Sequence, residues 1–320
     1  MKLLRLAPEN TKFGFMRFRR VSYPFSAVMS IVSVVLFLTV GMNFGIDFSG
    51  GTLIEARANS GTADLAKLRS IGDSLGIGNV EVQGFGTPAD VSLRVRLQAG
   101  GDAAQQAAVT KIKDAIGNDY EFRSVEVVGP SVSSELVQSG TLGVCISIVA
   151  VLTYLWFRFE WQFAVGAVIA TMHDLLLTVG FFSITQLEFN TTSIAAILTI
   201  VGYSLNEAVV VLDRIREMMR KYKRLRAAEM IDLSINAVLP RTIMTATTVF
   251  LALAALVIFG GQVIRSFSIA MMWGIFVGTY SSIFICSPVL IYLGVRTDGT
   301  ETAVQSAKES KPTARAPANV

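Results

Sequence analysis

Six apolar runs, each long enough to cross a bilayer, set the terms on which this chain folds. They occupy residues 22–44, 138–157, 163–185, 190–212, 238–260 and 266–295, and a spanning helix needs roughly 20 mostly apolar residues to cross about 30 Å of hydrocarbon. Charged side chains make up only 16% of the chain, against about 25% in a typical soluble domain. The sequence therefore describes a polytopic α-helical membrane protein. The run at 22–44 lacks a small-residue cleavage site and exceeds the apolar core of a signal peptide, so it is expected to remain as a signal anchor.

Lys and Arg set the orientation, because cytoplasmic loops carry the excess of both. Lys2, Arg5, Lys12, Arg17, Arg19 and Arg20 precede the first run; Arg214, Arg216, Arg220, Lys221, Lys223, Arg224 and Arg226 follow the fourth. The opposite loops, 186–190 and 260–265, contain only Arg265. Residues 1–21, 213–237 and 296–320 are thus expected inside, and 45–137 outside. In 213–237, Ile231 and Ile235 with Val238 predict a short interfacial helix over Ala227–Val238. The polar stretch 296–320 has no apolar period and is expected to be disordered.

The block at 45–137 alternates between strand and helix patterns. Period-two runs at 52–58, 80–83, 91–97 and 120–128 flank helical runs carrying Leu65, Leu68, Ile71 and Leu75, then Ala104, Ala108, Ile112 and Ile116. That β-α-β-β-α-β order is ferredoxin-like, a small α+β domain with two helices on one face of its sheet. Asp47, Gly50 and Gly51 before it, and Gly129 and Pro130 after it, are the candidate hinges. Gly50-Gly51 has none of the surroundings of a phosphate-binding loop.

Enzymatic chemistry finds little support. Cys145 and Cys286 both lie in apolar runs, which removes a disulfide framework, and the lone His173 removes zinc sites of the H-E-x-x-H kind. No cofactor, no metal and no nucleic-acid partner is expected. What stands out is polar chemistry inside the apolar runs, where an ionisable group costs on the order of 2.5–3.5 kcal/mol even on lenient scales. Glu207 shares a four-residue step with Thr199 and Tyr203, and Arg241, Thr245 and Thr248 form a second stripe on the next run. The two runs are antiparallel, so Glu207 and Arg241 are expected to pair. Two readings stand: a proton relay of Glu207, Arg241 and Thr245, or a static ion pair with Arg241 snorkelling from a helix that begins near Pro240. Asn206, Tyr203, Thr248, His173, Asp174, Asp213 and Arg214 are the supporting polar positions. His173-Asp174 reads either as a relay or as a helix-start anchor. Asp213, Arg214, Arg216 and Glu217 read mainly as a solvated charge run. Gly274 and Gly278, and Gly140 and Gly143, are small-residue packing steps.

Three stretches together resemble the SecF family of the bacterial Sec protein-export system: Phe44-Gly-Ile-Asp-Phe-Ser-Gly-Gly-Thr52, Val128-Gly-Pro-Ser-Val-Ser-Ser-Glu-Leu136, and Gly202 to Glu217 followed by Arg241 to Thr248. The likeness runs from about residue 15 to 295. It implies half of a resistance-nodulation-division type transporter in the bacterial inner membrane, with six spans paired to the six of SecD. The pair would serve the SecYEG channel with YajC, downstream of the SecA ATPase, using the proton-motive force to finish preprotein translocation. By this resemblance Glu207 falls on the family's intramembrane carboxylate, and Arg241 and Thr245 on its partner positions. The family usually has Asp where this chain has Glu207, and commonly Ser where it has Ala246; glutamate keeps the titratable group and adds a methylene. Two other classes compete: an assembly subunit whose charges only hold helices together, and a drug or lipid exporter, disfavoured because one small outer domain leaves little room for a substrate tunnel.

Overall fold

A computed structural model describes residues 11–295 apart from Asn79 and Phe85. The expected disordered stretch 296–320 and the basic residues Lys2 and Arg5 lie outside the described residues. Helix α1 (Arg19–Thr39) follows a 3-10 turn at Phe15–Phe18. It ends before the apolar run does, because Gly41 takes a φ of 74° and turns the chain. After α2 (Ile46–Ser49) come β1 (Gly51–Ala58), α3 (Leu65–Ser74), β2 (Val80–Gly84), β3 (Asp90–Val95), α4 (Gly101–Ile116) and β4 (Tyr120–Val128). The remaining helices are α5 (Pro130–Arg158), α6 (Trp161–Thr185), α7 (Thr191–Lys221), α8 (Ala227–Phe259), α9 (Gln262–Ser281) and α10 (Ser287–Tyr292). Among the described residues, six helical stretches are long and apolar enough to span a membrane.

The sheet is fully antiparallel in the order β2-β3-β1-β4, with β1 central between β3 and β4. This is the ferredoxin-like arrangement that the alternation implies. Ile54 and Ala56, Val91, Leu93 and Val95, and Val80 and Val82 all point to one face, where they bury against Leu68 of α3 and Ile112 and Ile116 of α4. The odd positions of β1 and even positions of β3, among them Glu55 and Arg94, make up the opposite polar face, which looks toward the helix bundle.

Two helices depart from the sequence reading. The segment expected as a separate interfacial helix is the first third of α8, which continues through Pro240 without a break. Met230, Ile231 and Ile235 sink into the main bundle core with Phe163, Leu212, Ile215 and Ile283. On the other side of that segment, Asp232 Oδ1 accepts from the Met16 amide at 2.9 Å, and Asn236 exchanges bonds with the backbone of Phe13 at 3.0 and 2.8 Å. Its polar face thus holds the N-terminal segment rather than a membrane surface. The sixth run is not one α-helix: α9 passes into a π-helical turn at Ser282–Cys286 before α10. Small residues stand at close helix contacts. A Cβ on Gly274 would lie 2.2 Å from Ile200 of α7, and one on Gly180 would lie 2.2 Å from Ser33 of α1.

Candidate functional site

The bundle holds a polar seam shared by α6, α7, α8 and α9. Glu207 lies near the middle of α7 and is 3% exposed, and its Oε1 accepts a hydrogen bond from Thr242 Oγ1 of α8. The expected Glu207–Arg241 pair does not form among the described residues. Successive helix residues point about 100° apart, and the face that α8 turns inward carries Ile231, Ile235, Thr242 and Leu253. Arg241, one position earlier, is exposed on the outside of the bundle. Thr245 is half-buried and Thr248 exposed, its hydroxyl donating to the Thr245 carbonyl at 3.0 Å. The same drift separates the first stripe. Thr199 is exposed and bonds its own helix at 2.7 Å, whereas Glu207, eight residues on, is enclosed. Asn206 faces outward, and Tyr203 is half-buried beside Thr279 of α9.

His173 and Asp174 are buried in the seam rather than placed at a helix start, 13 residues or so into α6. Asp174 is 1% exposed and sits where three helices meet. Its Oδ1 is 3.0 Å from His173 Nδ1, and its Oδ2 accepts from Ser204 Oγ of α7 and from Ser281 Oγ of α9, the latter at 2.7 Å. Ser204 is one helical turn before Glu207, so the partner of Asp174 and Glu207 itself lie on one continuous face of α7. Thr242, Ser204 and Ser281 were not legible as site residues, because single hydroxyls in apolar runs are common and bond their own helix at no signal in the spacing. Near the end of α7, Asp213 accepts from Arg158 of α5 at 2.7 Å, Arg214 bonds Glu217 at 2.6 Å, and Arg216 approaches Glu160 at 3.7 Å. Only one of these three pairs is local; the other two tie α7 to the α5–α6 corner.

At the other end of the bundle the candidate hinge residues join the sheet domain to α7. Asp47 Oδ2 accepts from the Thr191 amide at 2.9 Å and its hydroxyl at 2.7 Å, adding a carboxylate to the helix N-terminus that Asn190 caps. Phe44 pairs with Phe189 in an isolated parallel bridge. Gly50 and Gly51 stand at φ of 69° and 121°, and a Cβ on Gly51 would meet the Val95 carbonyl at 2.3 Å. Gly129 caps α5 in extended conformation with Pro130 at its first turn. Arg94 reaches from the polar face of the sheet to Glu188 at 3.0 Å and to Asn43 Oδ1 at 2.9 Å. Burial pushes the Glu188 carboxyl up from its ordinary value, with Asp47 and Glu126 adding to the rise and Arg94 opposing it.

Residues 108–296 match the family model described as protein export membrane protein SecD/SecF, C-terminal, and residues 35–61 match the SecD/SecF GG motif. The chain is 31% identical to the crystal structure of SecDF, a translocon-associated membrane protein from Thermus thermophilus, with a TM-score of 0.81 over 90% of this chain and 39% of that one. SecDF in a super-membrane-facing form gives a TM-score of 0.66 at 32% identity. The chain thus spans about two fifths of the SecDF chains. Its alignment with the protein translocase subunit SecF of Rickettsia bellii is 47% identical over 292 residues, covering 90% of this chain and 95% of that protein. With the subunit of Rickettsia akari it is 45% identical over 289 residues. By sequence over nearly its whole length, and by fold, the chain belongs to the SecF family of protein translocase subunits.

Proposed function

We propose that this subunit couples the proton-motive force to the late stage of preprotein translocation, with Glu207 as the carboxyl that takes up and releases the coupling proton. The observation that carries the reading is the setting of Glu207: enclosed in the bundle, bonded to a neutral hydroxyl, and without a cation partner among the described residues. An ion buried away from countercharge is costly, and protonation removes that cost. Thr242 fits either state, since a hydroxyl donates to a carboxylate and accepts from a carboxylic acid. Arg241, at the same depth but turned outward, then serves across an interface. Left against lipid it is unfavourable, which supports a second six-span partner, SecD, covering that face and bringing a group to the guanidinium.

In this reading the subunit lies in the bacterial inner membrane with both termini cytoplasmic and the sheet domain periplasmic. It works with SecYEG and YajC after SecA, on unfolded preprotein. The hinge residues Asp47, Gly50, Gly51, Gly129 and Pro130 carry the domain's movement, and protons are the coupling ion. The test is preprotein translocation into vesicles holding the full chain, its partner and the channel, with and without an imposed proton gradient. Glu207→Gln is expected to reduce the gradient-driven rate to that seen without a gradient. Wild-type acceleration in that variant would remove the proton role and leave the assembly reading.

A further inference from the structure

We propose that Asp174 is a second proton-binding carboxyl of the bundle, and that the hydroxyl of Ser281 switches its hydrogen-bond direction as the proton comes and goes. The inference deepens the proton-coupling reading, but stands on different residues. As an anion Asp174 is completely solvated by protein: His173 Nδ1 on one oxygen, Ser204 and Ser281 on the other. A protonated carboxyl must also donate, so one of those three partners has to accept instead. Ser281 is built for that exchange. Its Oγ is 2.7 Å from Asp174 Oδ2 and 3.2 Å from the carbonyl of Gly278. The hydroxyl hydrogen can turn to Gly278 while a lone pair receives the new O–H from Asp174, with the heavy atoms staying in place. Ser204 has no second acceptor among the described residues and keeps donating in both states.

The exchange balances: one proton arrives from solvent, one O–H bond forms at Oδ2, the Ser281 hydrogen rotates, and the proton later leaves by the reverse. The Asp174 carboxyl and the Ser204 and Ser281 hydroxyls are bonded in either state, where a buried group left unsatisfied costs about 1–3 kcal/mol. The Gly278 carbonyl stands at the i−3 position that helical hydroxyls bond, as Ser282 bonds Thr279 at 3.0 Å, so the second acceptor is in place without any backbone change. His173 Nε2 is buried without a hydrogen-bond partner among the described residues. The other titratable groups around the node are Tyr203 and Glu207 on α7, Tyr280 on α9 and Cys286 in the π-helical turn; Arg241 of α8 is turned away. Ser281 is also the last residue before α9 changes to π winding. Such turns cluster at functional positions, so the switch sits where α9 can change register.

Infrared difference spectroscopy on the full chain in lipid nanodiscs, titrated between about pH 5 and pH 9, tests the proposal. Wild type is expected to show a neutral-carboxyl C=O band that Asp174→Asn removes and Glu207→Gln leaves in place. Ser281→Ala is expected to keep that band but move its frequency, and to shift its midpoint by about half a pH unit or more; Ser281→Thr returns both toward wild type. An unchanged spectrum in Asp174→Asn, or an unmoved midpoint in Ser281→Ala, overturns it. Should Asp174→Asn fail to fold, wild type carrying carbon-13 in its aspartate side-chain carboxyls must show a label-shifted buried band, and its absence is equally fatal. Absence of a band sensitive to Glu207→Gln, with the Asp174 band present, counts against the Glu207 reading alone.

Discussion

Gly51 stands at a φ of 121° with the Val95 carbonyl 2.3 Å from where a Cβ would lie. Two separate constraints therefore select glycine there. A non-glycine residue in this backbone region costs on the order of 1–3 kcal/mol, and the carbonyl it would strike belongs to a β1–β3 ladder that cannot yield without losing pairing. Gly51→Ala is expected to destabilise the sheet domain by at least that amount, read as a drop in its thermal midpoint by circular dichroism. Gly143→Ala, with nothing within 4 Å of the added carbon, is expected to be neutral or slightly stabilising. Single residues were legible in the sequence where backbone geometry is local: Gly50 and Gly51, singled out before β1, both take positive φ. They were not legible where one residue of helix phase decides. Arg241 and Thr242 are both polar, both within two residues of Pro240, and 100° apart on α8; charge favoured Arg241 as the partner of Glu207, and packing placed Thr242 there. The phase was set by Ile231 and Ile235, which spacing alone assigned to a different helix.

Between elements, α7 and α9 approach over Gly274 and Gly278, which lie against Ile200 and Ser204. The same line of contact leads one turn further to Ser281 and the Asp174 node, so helix separation and side-chain chemistry are linked. Gly274→Val places branched carbons into space that Ile200 already fills at 2.2 Å. Overpacking of this kind typically costs about 1–3 kcal/mol. The expected outcome is a lower unfolding midpoint in detergent for Gly274→Val and a smaller loss for Gly274→Ala; a Val variant as stable as wild type would mean the helices are free to part. Element existence was legible here because apolar length and period-two alternation are strong, repeated signals. Element ends were not. The continuity of α8 through Pro240 and the π-helical turn in the sixth span depend on packing around Met230, Ile231 and Ser282 that no local pattern encodes.

Over the whole molecule, the polar face of the sheet meets the α6–α7 loop across a cavity of about 320 Å³ lined by Asp47, Glu55, Glu126 and Glu188. Arg94 on β3 faces this group, with Glu81 of β2 at 3.8 Å from the same guanidinium. Burial is the largest cause raising both the Glu188 and the Glu55 carboxyls; at Glu188 Arg94 opposes it while Asp47 and Glu126 add to it, and the net direction follows burial. An acid whose docked value is raised binds its proton more tightly when docked; docking is therefore favoured at low pH and weakens as pH rises through and above the ordinary glutamate range. Asp90 has the opposite sign. The Arg57 guanidinium, at 2.6 and 2.8 Å, and Thr87 hold its carboxyl well below the usual range, so its support for the domain fold is lost only as pH falls below the ordinary aspartate value. The two effects occupy different windows and can be read apart. With spin labels on the sheet domain and on the α6–α7 loop of the full chain in nanodiscs, the short-distance population is expected to grow as pH is lowered from about 8 to about 5. Glu188→Gln is expected to flatten that dependence by removing the largest titrating contributor on the loop. Arg94→Ala is expected to reduce the docked population at every pH, since it removes the cation that bridges the sheet to Glu188 and Asn43. A docked population that rises with pH in wild type would mean that the Arg94–Glu188 attraction outweighs burial and acid crowding, reversing the sign assigned to the junction.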